Sequence, residues 1–389
     1  MSEKMAEKRG RVVLHNVLFM FLNPLAALIL TPIYLMNAGF SWGLLAFLIV
    51  TYTISNMIIT VGYHRYFSHR SYAAHPAVEA FFVLFGSGCF QGSVLQWSTD
   101  HRRHHREVDT DADPYSINKG FLYAHLLWMF HEDPHPEAQA YPRDLTKSRL
   151  IMAQHKYYAI FASFFGYVLP GIVAYALGFG FWGGVIIGGS LRIFLSQHST
   201  FLINSAAHTF GKRPYTDTNT ARDSFILSVL TFGEGYHNFH HFFQLDYRNG
   251  VRWYQWDPTK WAIRSLAFLG LATKLKTARK EDIFKARIAM DEKLLLQKGA
   301  PVDRVAQIKT RMVEAQAKMK QLHDDYISAK AAFRAKRELM TQEMREQMRL
   351  QLQKLKRTKK VELRLAKTEF AVAYTQWRAF RREAYKVAA

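Results

Sequence analysis

The sequence predicts an all-α integral membrane protein. Four transmembrane helices form two hairpins, a cytosolic helical cap carries a metal site, and a long basic helical extension follows. Three observations carry this. Apolar runs with almost no charge, each near the length of about 20 residues that crosses a bilayer, occur in two pairs. Histidines gather in three clusters outside those runs. Charge is sparse in the first two thirds of the 389 residues and dense in the last third, for a formal net charge of +21.

The first pair of runs covers residues 12–35 and 42–63, and the second covers 157–177 and 181–203. The short connections, Met36-Asn37-Ala38-Gly39-Phe40-Ser41 and Gly178-Phe179-Gly180, carry no Lys or Arg. Positive residues collect at the N-terminus (Lys4, Lys8, Arg9, Arg11), in the long middle loop and after Lys212. By the positive-inside rule both termini, the middle loop and all three histidine clusters lie in the cytosol. The membrane is then a bacterial inner membrane, or the endoplasmic reticulum in a eukaryote. Residues 77–95 are apolar but hold Gly86, Gly88, Gln91 and Gly92. A span there would put the first two clusters on opposite sides, so this stretch reads as a helix buried against the cap or lying in the interface. No small-residue cleavage site follows the first run, which reads as an uncleaved helix. Cys89 is the single cysteine, which excludes an intrachain disulfide.

The first cluster is His64-Arg65-Tyr66-Phe67-Ser68-His69. The second is His101-Arg102-Arg103-His104-His105, and the third is His237-Asn238-Phe239-His240-His241. The last two share the spacing i, i+3, i+4, which on a helix places three imidazoles on one face, converging on one place. Imidazole suits iron, zinc or copper rather than magnesium or calcium. Eight histidines exceed what one ion needs, so the economical reading is a pair of ions. The fourth run leads into Asn204-Ser205-Ala206-Ala207-His208; Asn204 and His208, four apart, share a face of one helix. His208 is then a ninth imidazole and Asn204 a water-holding group. Asp100, Glu234 and Asp246 are candidate acceptors for the ligands' second ring N–H. Arg102 and Arg103 face an acidic headgroup or a redox partner.

After Tyr247 the aromatic stretch Trp253–Trp261 suits a membrane–water boundary. The sequence divides at about residue 275, into a membrane domain (1–275) and a basic coiled-coil-like tail (276–389). In the tail Ile308, Met312, Ala315, Met319, Leu322, Tyr326, Ala329 and Phe333 alternate by four and three, a heptad stripe. Met340, Met344, Met348, Leu352 and Leu355 continue it less regularly. The tail reads as a long helix or an antiparallel helical hairpin that lies on anionic lipid, dimerises or docks a partner. No motif for reading nucleic acid is present.

Taken together, His64-x4-His69, His101-x2-His104-His105 and His237-x2-His240-His241 between two membrane hairpins resemble the integral-membrane fatty acyl desaturases. Asn204-Ser205-Ala206-Ala207-His208, Gly233-Glu234-Gly235-Tyr236 and Asp111-Ala112-Asp113-Pro114 resemble the acyl-CoA Δ9 (stearoyl-CoA) members in particular, over roughly residues 12–275. The resemblance implies two iron ions held by His64, His69, His101, His104, His105, His208, His237, His240 and His241, with Asn204 acting through a water. It implies O2-dependent insertion of a cis double bond into a saturated acyl chain, with acyl-CoA the first candidate substrate. It also implies a bent tunnel shaped by Gln91, Trp97 and Thr200, with Tyr52 near its closed end and Asn56 on its wall. Gly92, Thr99 and Glu132-Asp133 stand where animal members place groups that hold CoA, so carrier protein and phospholipid remain alternatives as acyl carrier. The haem motif of fused cytochrome b5 domains is not found, so a separate donor of the ferredoxin, rubredoxin or cytochrome b5 type with its reductase is expected. A membrane di-iron hydroxylase or ketolase, and a non-catalytic membrane scaffold, are the competing readings.

Overall fold

The structure is a computed structural model that describes residues 10–133, 135, 140–336 and 340–386. It is mostly helical; the strand pairing among the described residues is one antiparallel match of Ala73–Ala74 with Ala272–Thr273. The chain divides into two compact units at Ile283/Phe284. The sequence places that division near residue 275. Backbone bonds explain the shift: Lys276 N donates to Ser71 O (2.8 Å), and Ala278 N to the Asp246 carboxylate (2.8 Å), which keeps these residues with the first unit.

Among the described residues of the first unit three helices are long and apolar enough to cross a membrane: Leu14–Ala38, Trp42–Ser68 and Tyr158–Ala176. In the first only Asn23 and Ala27 are buried and many apolar side chains are exposed, as expected of a surface whose solvent is lipid. Ser41 starts the second helix, its Oγ accepting from Leu44 N at 3.0 Å. The fourth apolar run also forms an unbroken helix, 181–204, but it is not uniformly apolar. Its interior holds Arg192, 4% exposed, which donates to Ser55 Oγ (2.5 Å), Gly88 O (3.0 Å) and Gly166 O (3.0 Å). A cation at this depth persists only with every donor satisfied. Its fork fastens the fourth helix to the second and third apolar helices and to the end of the short helix described next.

Residues 77–95 do not form one element. A helix occupies Pro76–Ser87, too short to span. It ends where Phe90 (φ 54°) and Gly92 (φ 90°) turn left-handed, and Ser93 caps a new helix, Val94–Glu107. The short helix packs tightly on residues 58–68. A Cβ at Gly62 would meet Phe82 Cγ at 2.6 Å and one at Gly86 would meet Tyr63 Cε1 at 2.3 Å, so only glycine allows this approach. The surrounding core gathers Ile58, Ile59, Tyr63, Phe82, Val94, Leu95 and Ile263. Full burial of each such side chain is worth about 1.5–3 kcal/mol.

The second unit builds its own core. Helices Val302–Lys336 and Gln342–Lys386 form a hairpin, and residues 284–297 pack on it. Val305, Ile308, Met312, Trp377 and Phe380 are buried there. The heptad stripe of the first hairpin helix faces inward at Ile308, Met312, Ala315 and Leu322. Asp291 clamps the second helix, accepting from Trp377 Nε1 (3.2 Å) and Arg381 Nη1 (2.8 Å). The exposed aromatics Trp253 and Tyr254 lie in the first unit, outside any core.

Candidate metal centre

The first histidine box lies on a π-helical stretch, Ile58–Ser68, continuous with the second apolar helix. This geometry solves a spacing problem. On an α-helix, residues five apart point roughly 140° away from each other. A π-helix closes i to i+5 hydrogen bonds, which brings the fifth residue back over the first. His69 N donates to His64 O at 3.1 Å, and the two rings sit 4.8 Å apart.

The second box occupies the C-terminal half of Val94–Glu107, and the third forms the helix His237–Phe242. The third is aimed by Gly235, where a Cβ would lie 2.1 Å from Ser228 N. It is held by Asn238, whose buried amide accepts from Tyr215 N (2.9 Å) and donates to Thr216 O (2.8 Å) and Ala221 O (2.9 Å). The expectation that each i, i+3, i+4 triplet converges on one place is corrected. Two groups form: His64, His69, His101, His105 and His240, and separately His104, His208, His237 and His241. In each box positions i and i+4 join one group and i+3 joins the other. At about 100° per residue, i+4 lies about 40° to one side of i and i+3 about 60° to the other. Two boxes facing each other with opposite preference therefore weave two sites together.

His208 needs a second correction. The helix stops at Asn204, and His208 sits in a separate 3-10 turn, Ala206–His208, so the two do not share an α-helical face. Asn204 lines the neighbouring cavity.

Contacts within the groups run through Nε2. His64 to His240 is 2.9 Å, His69 to His101 2.8 Å and His105 to His240 2.9 Å. In the other group His208 to His237 is 3.1 Å, His237 to His241 3.0 Å and His104 to His241 3.3 Å. Metal–imidazole bonds of about 2.1 Å give polyhedron edges of roughly 3.0–3.4 Å, so the spacing fits a bound ion in each group. Burial, with neighbouring imidazoles adding to it, holds His101, His105, His237, His240 and His241 well below the ordinary histidine range. Burial also draws His208 down to about 3. These rings are neutral, the form that binds metal.

On four of the histidines, His64, His101, His104 and His208, the Nδ1 atom has a neighbour outside the groups. His64 Nδ1 lies 2.9 Å from Glu234 Oε2, at an oblique angle. Glu234 also pairs with Arg65 (2.8 Å), which reaches Asp257 (3.0 Å), so a charged residue of the first box links it to the third and to the helix that Asp257 caps. Burial opposes charge on Glu234, but Arg65 and His64 overcome it and draw its pKa down to about 2. His104 Nδ1 is 2.9 Å from Asp113, His101 Nδ1 is 3.2 Å from Tyr115 Oη, and His208 Nδ1 is 2.8 Å from Thr220 Oγ1, itself held by Asp109 (2.7 Å).

Of the expected acceptors only Glu234 touches a histidine. Asp100 takes Gln96 Nε2 (3.0 Å) and Asp246 takes Arg248 (2.7 Å), because each side chain projects away from the rings. Arg102 and Arg103 do not reach outward either. Arg102 grips Asp144 (2.8 Å) and Phe67 O (2.6 Å), and Arg103 is buried against Asp133. Asp113, Tyr115, Thr220 and Asp109 were missed. The run Asp111-Ala112-Asp113-Pro114 was a partial signal, but loop backbone sets which carboxylate turns inward.

A cavity of about 1110 Å³ reaches this centre, lined by His64, His101, Glu234 and Asn204. Gln91, Trp97 and Thr200 also line it. Gln91 Nε2 donates to Thr200 Oγ1 at 2.9 Å, and the Trp97 indole stacks on His101 at 4.9 Å. Tyr52 and Asn56 are not among its lining residues. Tyr52 packs edge-on against Phe232, and Asn56 turns its amide back to Tyr52 O (2.9 Å).

Apolar helices of spanning length and a buried all-histidine centre define a membrane metalloprotein. The sequence profile of the fatty acid desaturase family matches residues 40–271, and the chain belongs to that family. It is 42% identical over 252 residues to a probable acyl-CoA desaturase of Schizosaccharomyces pombe, covering 64% of this chain and 53% of that one. It is 35% identical over 246 residues to the sn-1 stearoyl-lipid 9-desaturase of Anabaena variabilis (63% and 88%). To human stearoyl-CoA desaturase 5 it is 34% identical over 281 residues (70% and 83%). The chain thus spans about half the length of the yeast relative.

Proposed function

We propose that this chain is a membrane fatty acyl desaturase that inserts a cis double bond, at Δ9, into a saturated acyl chain carried first of all by CoA. The observation that carries this is the meeting of nine imidazoles, seven of them buried, in two groups of ligand-compatible spacing beside a large cavity. His64, His69, His101, His105 and His240 would hold one iron, and His104, His208, His237 and His241 the other, with Asn204 holding a water beside it. The proposed topology is four spans in two hairpins, with both termini and the centre cytosolic. Electrons would come from a ferredoxin, rubredoxin or cytochrome b5 type partner.

Breaking an unactivated C–H bond is beyond acid–base side chains, and paired irons, when bound, would supply with O2 the oxidising power. The chain's residues do the rest. Burial favours the neutral form of His69, His101, His105, His208, His237, His240 and His241. Glu234, Asp113 and Thr220 fix ring orientation, and such outer partners are typically worth 10–100-fold in metal affinity. An alkyl chain offers no hydrogen bonds, so position along it is measured by shape, each buried methylene adding about 0.8 kcal/mol. The Trp97 ring stacked on His101 and the Gln91–Thr200 bridge form walls next to the centre.

The test is lipid analysis in a host lacking unsaturated fatty acids, with the wild-type chain and with His104→Ala. A new cis alkene at carbon 9 with the first and none with the second supports the reading. Alcohol or ketone products would replace it by the hydroxylase or ketolase. A chain that binds no metal would leave the scaffold.

A further inference from the structure

The last helix, Gln342–Lys386, is two-sided in an unusual way. One side is committed to its own unit through Ala366, Ala373, Trp377 and Phe380. About a third of a turn round from it runs a second apolar stripe, Leu350, Val361, Leu365 and Val372, each more than half exposed. These residues fall on one face at helical spacing. Lys354 and Arg357 continue that face, exposed Arg364 borders it, and exposed Arg349, Lys356, Lys360, Lys367 and Arg378 form a basic row about a third of a turn farther round. The helix holds thirteen Lys and Arg against five Glu.

We propose that this face docks flat on the anionic headgroup surface of the bilayer in which the chain sits. Apolar side chains bordered by lysine and arginine are the pattern of an interfacial helix, whose stripe enters the acyl boundary while the long cationic side chains reach headgroup phosphates. A second copy is a poorer occupant, since facing copies would bring Lys354 and Arg357 near their own like charges. Lipid is also the one partner always within reach of a unit tethered to spanning helices. The proposal rests on membrane insertion and not on the reaction catalysed.

The experiment uses the full chain in nanodiscs, with a nitroxide on Leu365→Cys; Cys89, the native cysteine, is buried. In discs of phosphatidylcholine mixed with phosphatidylglycerol, collisions with O2 should rise, and those with a water-soluble nickel chelate should fall, relative to discs of phosphatidylcholine alone. Lys360→Gln, Arg364→Gln and Lys367→Gln should each reduce the lipid-bound fraction ratio about fivefold. Hydrogen exchange at Met312, inside the unit's core, checks that these variants still fold. Equal, water-like accessibility in both discs overturns the proposal. Dipolar broadening between labels in two-copy discs also overturns it, in favour of a self-associating face.

Discussion

The two histidine groups come from the same boxes yet are anchored differently. The five-histidine group is fixed to helices. His64 lies in the π-helical stretch and His69 caps its end, and Arg65 between them joins Glu234 and Asp257 in a fully buried ionic network. The four-histidine group takes its outside partners from loops, although His104, His237 and His241 themselves sit on helices. Asp113 holds His104, and the Thr220–Asp109 pair holds His208. It also has one ligand fewer, with Asn204 on the cavity wall nearby. Under the proposed two-iron reading the groups would have separate tasks. The five-histidine group would retain its ion, and the four-histidine group would keep a position open to the cavity.

Removing a ligand is the harshest test of that division. His104→Ala should abolish product and lower iron from two per chain to about one, measured by metal analysis of the purified protein. His105→Ala should also abolish product, but by emptying the other group. Loss of both ions from either variant would show that the groups bind as one unit and break the comparison.

Smaller changes at the anchors sharpen it. Asp113→Asn should weaken metal retention at the four-histidine group by about 10–100-fold while leaving the fold intact. Dialysis against chelator should then strip one ion well before the other. Glu234→Gln should show up mainly in stability. It leaves the buried Arg65 with Asp257 as its single carboxylate, a loss on the order of 3 kcal/mol, read as a lowered Tm. A Tm unchanged by Glu234→Gln would mean the ionic network is not what fixes the five-histidine group.

The same contrast explains what could be read from the sequence. All nine imidazoles were legible, because a metal demands a residue type and leaves repeated spacings. The apolar runs were legible to within a few residues, because the bilayer sets their length. The division of each box between two groups was not, since it depends on two helices facing each other. The five-residue gap between His64 and His69 was the unread clue to π geometry. Asp100 and Asp246 looked suitable by sequence proximity, but neighbours along a chain point in different directions. Asp113 and Thr220 come from loops whose course no periodicity encodes. Arg192, an oddity in an apolar run, became intelligible only with Ser55, Gly88 and Gly166 around it.

The smallest effect concerns the wall and not the ions. Trp97 stacks on His101 of the five-histidine group and lines the cavity without ligating anything. Trp97→Ala removes a large apolar surface beside the cavity proposed to hold an acyl chain, which would be positioned there by shape alone. Neighbouring registers differ by one methylene, about 0.8 kcal/mol, or roughly fourfold. Loosening the wall should therefore spread the double bond over adjacent carbons by several-fold in ratio, with iron content unchanged. Product mapping by mass spectrometry reads this directly. A single retained double-bond position with normal iron would transfer the measuring role to the Gln91–Thr200 bridge on the same cavity.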